Sequence, residues 1–147
     1  MGSYYCGGSG YYASPLSFLQ RPAMWIEMVS KYRGTHLQAP NFAFKLTARK
    51  FDPSKYTMGG LDLSSVRHAI NGAEPVTESS MEAFVAAFGS YGLRGEVLYP
   101  TYGLAENTVF VCSGGRERLT VRKRELEAEG RAVVVISDSD DPATAAE

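Results

Sequence analysis

Apolar residues recur at helical spacing in several stretches of the chain, with short apolar runs between them. Ser14-Pro15 opens the first helical signal: a capping-type residue, then proline where a first turn tolerates it. Pro22 restarts the helix, Trp25, Met28, Val29 and Tyr32 share one face, and Gly34 is a natural stop. Residues 35–39 read as a short strand. Pro40-Asn41 breaks the chain, and Asn41 is placed to cap a second helix over residues 42–50. Residues 52–60 have the composition of a surface loop.

The next strand covers residues 66–70, with Val66, His68 and Ile70 on one side and Arg67 and Ala69 on the other. It ends at Asn71-Gly72-Ala73-Glu74-Pro75. Thr77 or Glu78 begins a third helix with the stripe Met81, Phe84, Val85 and Phe88, stopped by Gly89 and Gly92. Residues 96–99 form a third strand, delivering Thr101-Tyr102-Gly103-Leu104-Ala105-Glu106 at its carboxyl end. Residues 108–112 fit either a strand or a buried turn of helix, which periodicity does not separate. Further on, residues 122–129 read as a short exposed helix and residues 132–136 as a strand.

Helix and strand alternate, which argues for an α/β fold: a mostly parallel sheet flanked by helices. Ligands in such sheets bind beyond the carboxyl ends of the strands. If the strands are parallel neighbours, the turns at residues 39–42, 71–75 and 101–106 share one edge.

Composition narrows the function without naming it. The 147 residues suffice for one domain with its own core. A formal net charge of −1 gives no basic footprint for nucleic acid. No window has the apolar length of a membrane span, and the first ten residues lack a signal-peptide layout. Cys6 and Cys112 match no zinc spacing and read as free thiols of a reducing cytosol. His36 and His68 have no partner at catalytic or metal spacing and read as structural. Asp138, Asp140 and Asp141 lack the glycine and terminal glutamate of a calcium loop, so the acidic tail reads as solvated. Neither a nucleophile elbow nor a Gly-x-x-x-x-Gly-Lys-Ser/Thr loop occurs in the chain.

Each turn carries two readings. Asn71-Gly72-Ala73-Glu74-Pro75 is a backbone-rich wall for a purine, or an ordinary strand-to-helix turn. Tyr102 through Glu106 offers a ring for stacking and a carboxylate for magnesium, or a buried tyrosine followed by a helix with a favourable acid. Residues 39–44 form a pocket wall with Asn41 as its polar handle, or a cap with core aromatics.

Taken in order, five runs are more specific than any one of them. They are Ser14-Pro15-Leu16-Ser17-Phe18-Leu19-Gln20-Arg21-Pro22, Ala39-Pro40-Asn41-Phe42-Ala43-Phe44, Leu61-Asp62-Leu63-Ser64-Ser65, Asn71-Gly72-Ala73-Glu74-Pro75-Val76 and Tyr99-Pro100-Thr101-Tyr102-Gly103-Leu104-Ala105-Glu106. The series resembles the central part of the fatty acyl-AMP ligases, a branch of the adenylate-forming superfamily, over about residues 12–115. Alanine at position 105, where related acyl-CoA synthetases usually carry threonine, points to that branch. The resemblance implies activation of a fatty acid with ATP to an acyl-adenylate. Transfer to an acyl carrier protein, often on a polyketide synthase, would follow.

By the same resemblance, Gly72, Ala73, Glu74 and Pro75 line the adenine. Tyr102 stacks on it, with Gly103, Leu104 and Ala105 completing the nucleotide-binding run. Glu106 would be the catalytic carboxylate that helps hold Mg2+, and Asn41 and Phe42 would border the acyl pocket. Residues 1–115 would be part of the AMP-binding domain, 116–137 the start of a family-type inserted segment, and 138–147 an acidic tail. The family's phosphate loop and catalytic lysine do not occur in these residues. The chain is therefore expected to be an internal fragment of the large domain, cytoplasmic and inactive alone. A non-catalytic module binding nucleotide, acyl chain or a protein partner is the alternative.

Overall fold

The computed structural model describes residues 5–56, 59–115 and 119–135. It divides into two compact units, Met1–Gly114 and Gly115–Glu147. In the first, the short helix α1 (Pro15–Gln20) precedes α2 (Ala23–Tyr32), β1 (His36–Ala39) and α3 (Asn41–Lys50). β2 (His68–Asn71), α4 (Glu78–Phe88), β3 (Leu98–Tyr102) and the two-residue β4 (Cys112–Ser113) follow. The strands lie in the order β1-β2-β3-β4. β1, β2 and β3 are parallel, and β4 pairs antiparallel to β3. The expected α/β architecture with a mostly parallel sheet is thus the observed one.

Register explains why the turns converge. Ala39 is opposite Asn71, and Asn71 is opposite Pro100. The carboxyl ends of three neighbouring strands therefore stand side by side. On the inner face Leu37 and Ala69 meet Ile26, Val29, Phe44, Phe84 and Phe88, all buried. The Trp25, Phe44 and Phe84 rings interlock, with Trp25–Phe44 and Phe44–Phe84 edge to face at 5.2 and 4.9 Å. On the other face His36 and Gln38 are exposed and His68 and Ile70 half-buried.

Several local expectations are corrected. The buried face of α2 is Ile26 and Val29 with Trp25 beside them, while Tyr32 is exposed and stacks on Tyr11 at 3.9 Å. Arg33, rather than Gly34, takes the left-handed turn, with φ 52°, and the Gly34 N–H closes the helix on the Val29 carbonyl. β2 starts at His68, so Val66 leaves the His68 row and is buried with Leu61 and Leu63. In α4 Ser80 is buried and Val85 only half so. Gly89 continues into a 3-10 turn, and Gly92, with φ 89°, makes the reversal.

Residues 95–97 form a 3-10 turn, and β3 runs on through Thr101 and Tyr102. Residues 108–112 are neither strand nor buried helix turn: Thr108 and Val109 have positive φ, and only Cys112 joins β4. The loop after α3 is as expected, with Asp52 capping a 3-10 turn at Pro53–Lys55, although Thr57 and Met58 lie outside the described residues.

In the second unit the expected charged helix is present as α5 (Lys123–Glu129), exposed and ended by Gly130 at φ 64°. The expected strand at 132–136 reduces to an isolated bridge between Val121 and Val134. Ile136, Asp138, Asp140 and Asp141 lie outside the described residues.

Candidate functional site

The three turns are tied together by side chains. Asn41 is the first residue of α3 and is buried, and Pro40 occupies the cap position, so Asn41 does not cap the helix through its side chain. Instead its Oδ1 accepts from Asn71 Nδ2 at 3.0 Å, from Ser80 Oγ and from the Thr77 N–H at 3.5 Å. Its Nδ2 donates to Thr77 Oγ1 at 3.4 Å. One amide thus joins the end of β2 to the starts of α3 and α4. Burial makes such a network expensive to break, because each partner left behind loses water as well as its bond.

Glu74 closes the same corner. Its carboxylate accepts the Phe42 N–H in the first turn of α3, which has no acid of its own there. An anion at a helix amino terminus is favourable. Just before it, Ala73 sits at φ 69°. A left-handed alanine costs roughly 1 kcal/mol or more and is kept where its surroundings fix it. The second and third turns meet at Thr101, whose hydroxyl donates to the Asn71 carbonyl at 3.2 Å. Gly72 packs there so closely that an added Cβ would fall inside contact distance of Thr101 Oγ1 and 3.0 Å from its carbonyl oxygen.

At the end of β3 Tyr102 is 59% exposed, which removes the buried-tyrosine reading and leaves a ring face free for a flat ligand. Gly103 has no room for a side chain, since an added Cβ would run into the Val109 carbonyl folded back over it. Leu104 is half-buried; Ala105 and Glu106 are exposed on a 3-10 turn rather than a helix. Phe42 is partly exposed at the mouth of the first turn and meets Phe18 of α1 at 6.3 Å, while Phe44 is core.

Gly72, Ala73, Glu74, Pro75, Asn41 and Phe42 thus fall on adjoining turns, with Tyr102 to Glu106 following the neighbouring strand. Sequence reasoning placed Asn71 and Thr101 within the candidate runs but gave neither their side chains nor Ser80 a role of their own. A polar residue directly after the apolar pair Ala69-Ile70, as Asn71 is, is the signal that marks it.

A separate groove of about 410 Å3 lies at the other end of α3, lined by Arg21, Glu27, Lys50, Asp52, Lys55 and Tyr56 among others. Its acids are engaged with Arg21, Lys55 and the Tyr56 hydroxyl. Among the described residues no three or more His, Cys, Asp or Glu cluster as a metal site. None of the described helices is long and apolar enough to cross a membrane.

A mostly parallel sheet whose carboxyl-end turns bring glycine, an exposed aromatic ring and a carboxylate to one edge defines an α/β protein of the kind that binds ligands beyond its strand ends. The chain belongs to the AMP-binding enzyme family, whose model matches residues 1–138, and its relatives place it in the fatty acyl-AMP ligase branch. It is 42% identical over 134 residues to the medium-chain fatty acid–[acyl-carrier-protein] ligase JamA of Moorena producens, covering 89% of this chain and 22% of that protein. It is 44% identical over 100 residues to a 4-hydroxyphenylalkanoate adenylyltransferase of Mycobacterium marinum, covering 68% of this chain and 16% of that one. Among solved structures, the fatty acid AMP ligase of Legionella pneumophila superposes with a TM-score of 0.78 at 39% identity, over 94% of this chain and 24% of that one. A structure of the fatty acyl-adenylate ligase from the same organism, with acyl adenylate and pyrophosphate, superposes equally well, at 0.78. The chain spans about a fifth to a quarter of the length of JamA and of the Legionella ligase.

Proposed function

We propose that these residues are the adenine-and-acyl corner of a fatty acyl-AMP ligase, an ATP-dependent acid–AMP ligase. In this reading a fatty-acid carboxylate attacks the α-phosphorus of ATP. The bond from that phosphorus to the oxygen bridging toward the β-phosphate breaks, pyrophosphate leaves with those electrons, and acyl-AMP remains. The phosphopantetheine thiol of an acyl carrier protein, often on a polyketide synthase, then attacks the acyl carbonyl; a thioester forms, the bond to phosphate oxygen breaks, and AMP and the thiol proton leave. The observation that carries the reading is the convergence of the three turns on one sheet edge, tied by Asn41, Glu74 and Thr101.

Each part of this corner has a physical task. Gly72 and Ala73 present backbone to the adenine edge without a bulky side chain, and Glu74 and Pro75 fix that wall. Tyr102 stacks on the base. Gly103, Leu104 and Ala105 set the turn that carries Glu106 past the strand end. Asn41 and Phe42 begin the wall of the acyl pocket. Holding two anions in line removes much of the entropic barrier to their reaction.

Glu106 fits magnesium by its chemistry: an exposed oxygen donor, for an ion that uses one or two carboxylates together with substrate phosphates. Bound there, the ion would neutralise charge growing on the phosphates. Residues 1–115 act as part of the AMP-binding domain, 116–137 as the start of an inserted segment and 138–147 as its acidic tail. The division of compact units after Gly114 supports the first boundary. Exposed, free Cys6 and Cys112 support a reducing, cytoplasmic setting.

The test is Tyr102→Ala in the intact ligase that carries this segment. Base stacking is worth about 1–3 kcal/mol, so KM for ATP should rise roughly tenfold or more with little change for the fatty acid. A change confined to acyl chain-length preference would overturn the adenine assignment.

A further inference from the structure

His36 and His68 are the first residues of β1 and β2 and stand in register across the parallel pair. Their rings lie 4.9 Å apart at 31°, and His36 Nε2 and His68 Nδ1 share a hydrogen bond of 3.1 Å. They are partners, contrary to the expectation from spacing alone; residues 32 positions apart in sequence are brought together only by strand register. We propose that this pair is a two-histidine site for a divalent transition-metal ion of the zinc and nickel type, on the sheet face opposite the core helices.

Four features support it. Imidazole suits these ions, and metal–nitrogen bonds near 2.0–2.1 Å put two nitrogens on one ion roughly 2.9–3.4 Å apart, so the observed 3.1 Å spacing fits. The rings are held in place before any ion arrives. The Thr35 carbonyl receives the Arg67 and His68 N–H groups at 2.8 and 3.1 Å, and Tyr99 packs its ring edge-on to His68 at 4.8 Å. The His36 ring also has an outer partner: Thr35 Oγ1 lies 2.9 Å from its Nδ1 and can accept a proton there. With the Nδ1 proton donated to that hydroxyl, His36 Nε2 keeps a lone pair, which in the metal-free chain accepts the His68 Nδ1–H; an ion takes that proton's place once His68 carries its proton on Nε2 instead. Finally, the pair is accessible, with His36 exposed and His68 half-buried.

The described residues add no third protein ligand, so water completes the coordination. The pair opens its strands, whereas the nucleotide turns close them; three residues of strand, about 10 Å, separate the two sites. The inference therefore stands apart from the ligase reading, and from magnesium at Glu106.

The test uses the 147-residue chain in a Cys6→Ser/Cys112→Ser background, which removes the exposed thiols as competing ligands. Zinc is titrated by calorimetry, and the imidazole nitrogens are followed by NMR. The expected result is a single saturable site, with zinc shifting His36 Nε2 and His68 Nδ1 and raising the thermal unfolding midpoint. Chelation by two linked groups exceeds binding by one about a hundredfold or more, so His36→Ala or His68→Ala should weaken binding on that scale. Thr35→Val should weaken it about tenfold while both imidazole signals still respond. Unshifted imidazole nitrogens in the parent, or equal affinity in the His36→Ala/His68→Ala double variant, would overturn the proposal. The parent's nitrogen shifts decide the matter even if a variant fails to fold.

Discussion

Gly72 shows how far a single residue can be read. Its place in Asn71-Gly72-Ala73-Glu74-Pro75 suggested room for a base edge; the fold adds that the room is already filled on one side by Thr101. Gly72→Ala would drive a methyl group into the Thr101 hydroxyl and crowd its carbonyl oxygen, and overpacking of this kind costs about 1–3 kcal/mol. Chemical denaturation should show that loss, and an unchanged midpoint would mean the turn yields freely. Residue identity made Tyr102, Gly103 and Glu106 legible as candidates, because ring, glycine and carboxylate each suit one task. It did not reveal that Glu74 reaches the Phe42 N–H or that Asn41 binds Asn71 and Ser80. Those bonds join residues 30 or more positions apart, and no local pattern encodes them. Asn41 looked like a cap because Asn before an apolar stretch usually is one. Burial beside two other polar side chains gave it a different role.

At the scale of elements, α2 and α4 were legible from their apolar spacing, α3 from the Pro40-Asn41 break before it, and β1 from its bounding breakers. Boundaries were harder where tertiary packing overrides pattern. β3 extends through Pro100 because the proline needs no donor at that position, and Thr101 is held by the Asn71 carbonyl and pairs with Ser113. The loop after α3 is fastened to α2 by Tyr56, whose hydroxyl donates to Glu27 at 2.8 Å. Burial and then the Glu27 carboxylate push the Tyr56 phenol up to about 12 from 10.0. The folded state therefore holds this proton more tightly than the unfolded one. The resulting stabilisation is complete below pH 10 and is lost as pH rises through about 12. Tyr56→Phe should cost about 1–2 kcal/mol near neutrality by removing a bond to a charged acceptor. That deficit should shrink between pH 10 and about 12 when thermal midpoints of the two proteins are compared. A gap that stayed constant with pH would show that the phenol does not titrate in this way.

For the whole molecule, alternation of helix and strand was enough to foresee a parallel sheet and a shared edge of turns. On the sheet face away from the core helices, His36 and Gln38 are exposed and His68 is half-buried. The His36–His68 contact on that face depends on register, and register is invisible until strands pair. The central claim is that residues 12–115 supply a working adenine-and-magnesium corner. It is tested most directly by grafting them in place of the matching segment of the Legionella pneumophila fatty acid AMP ligase and measuring fatty-acid-dependent ATP–pyrophosphate exchange. Exchange by the folded graft is expected, with none by the 147 residues alone and a fall of about a hundredfold or more on Glu106→Gln. A folded graft without exchange, turnover by the isolated chain, or full activity in the Glu106→Gln graft would contradict it.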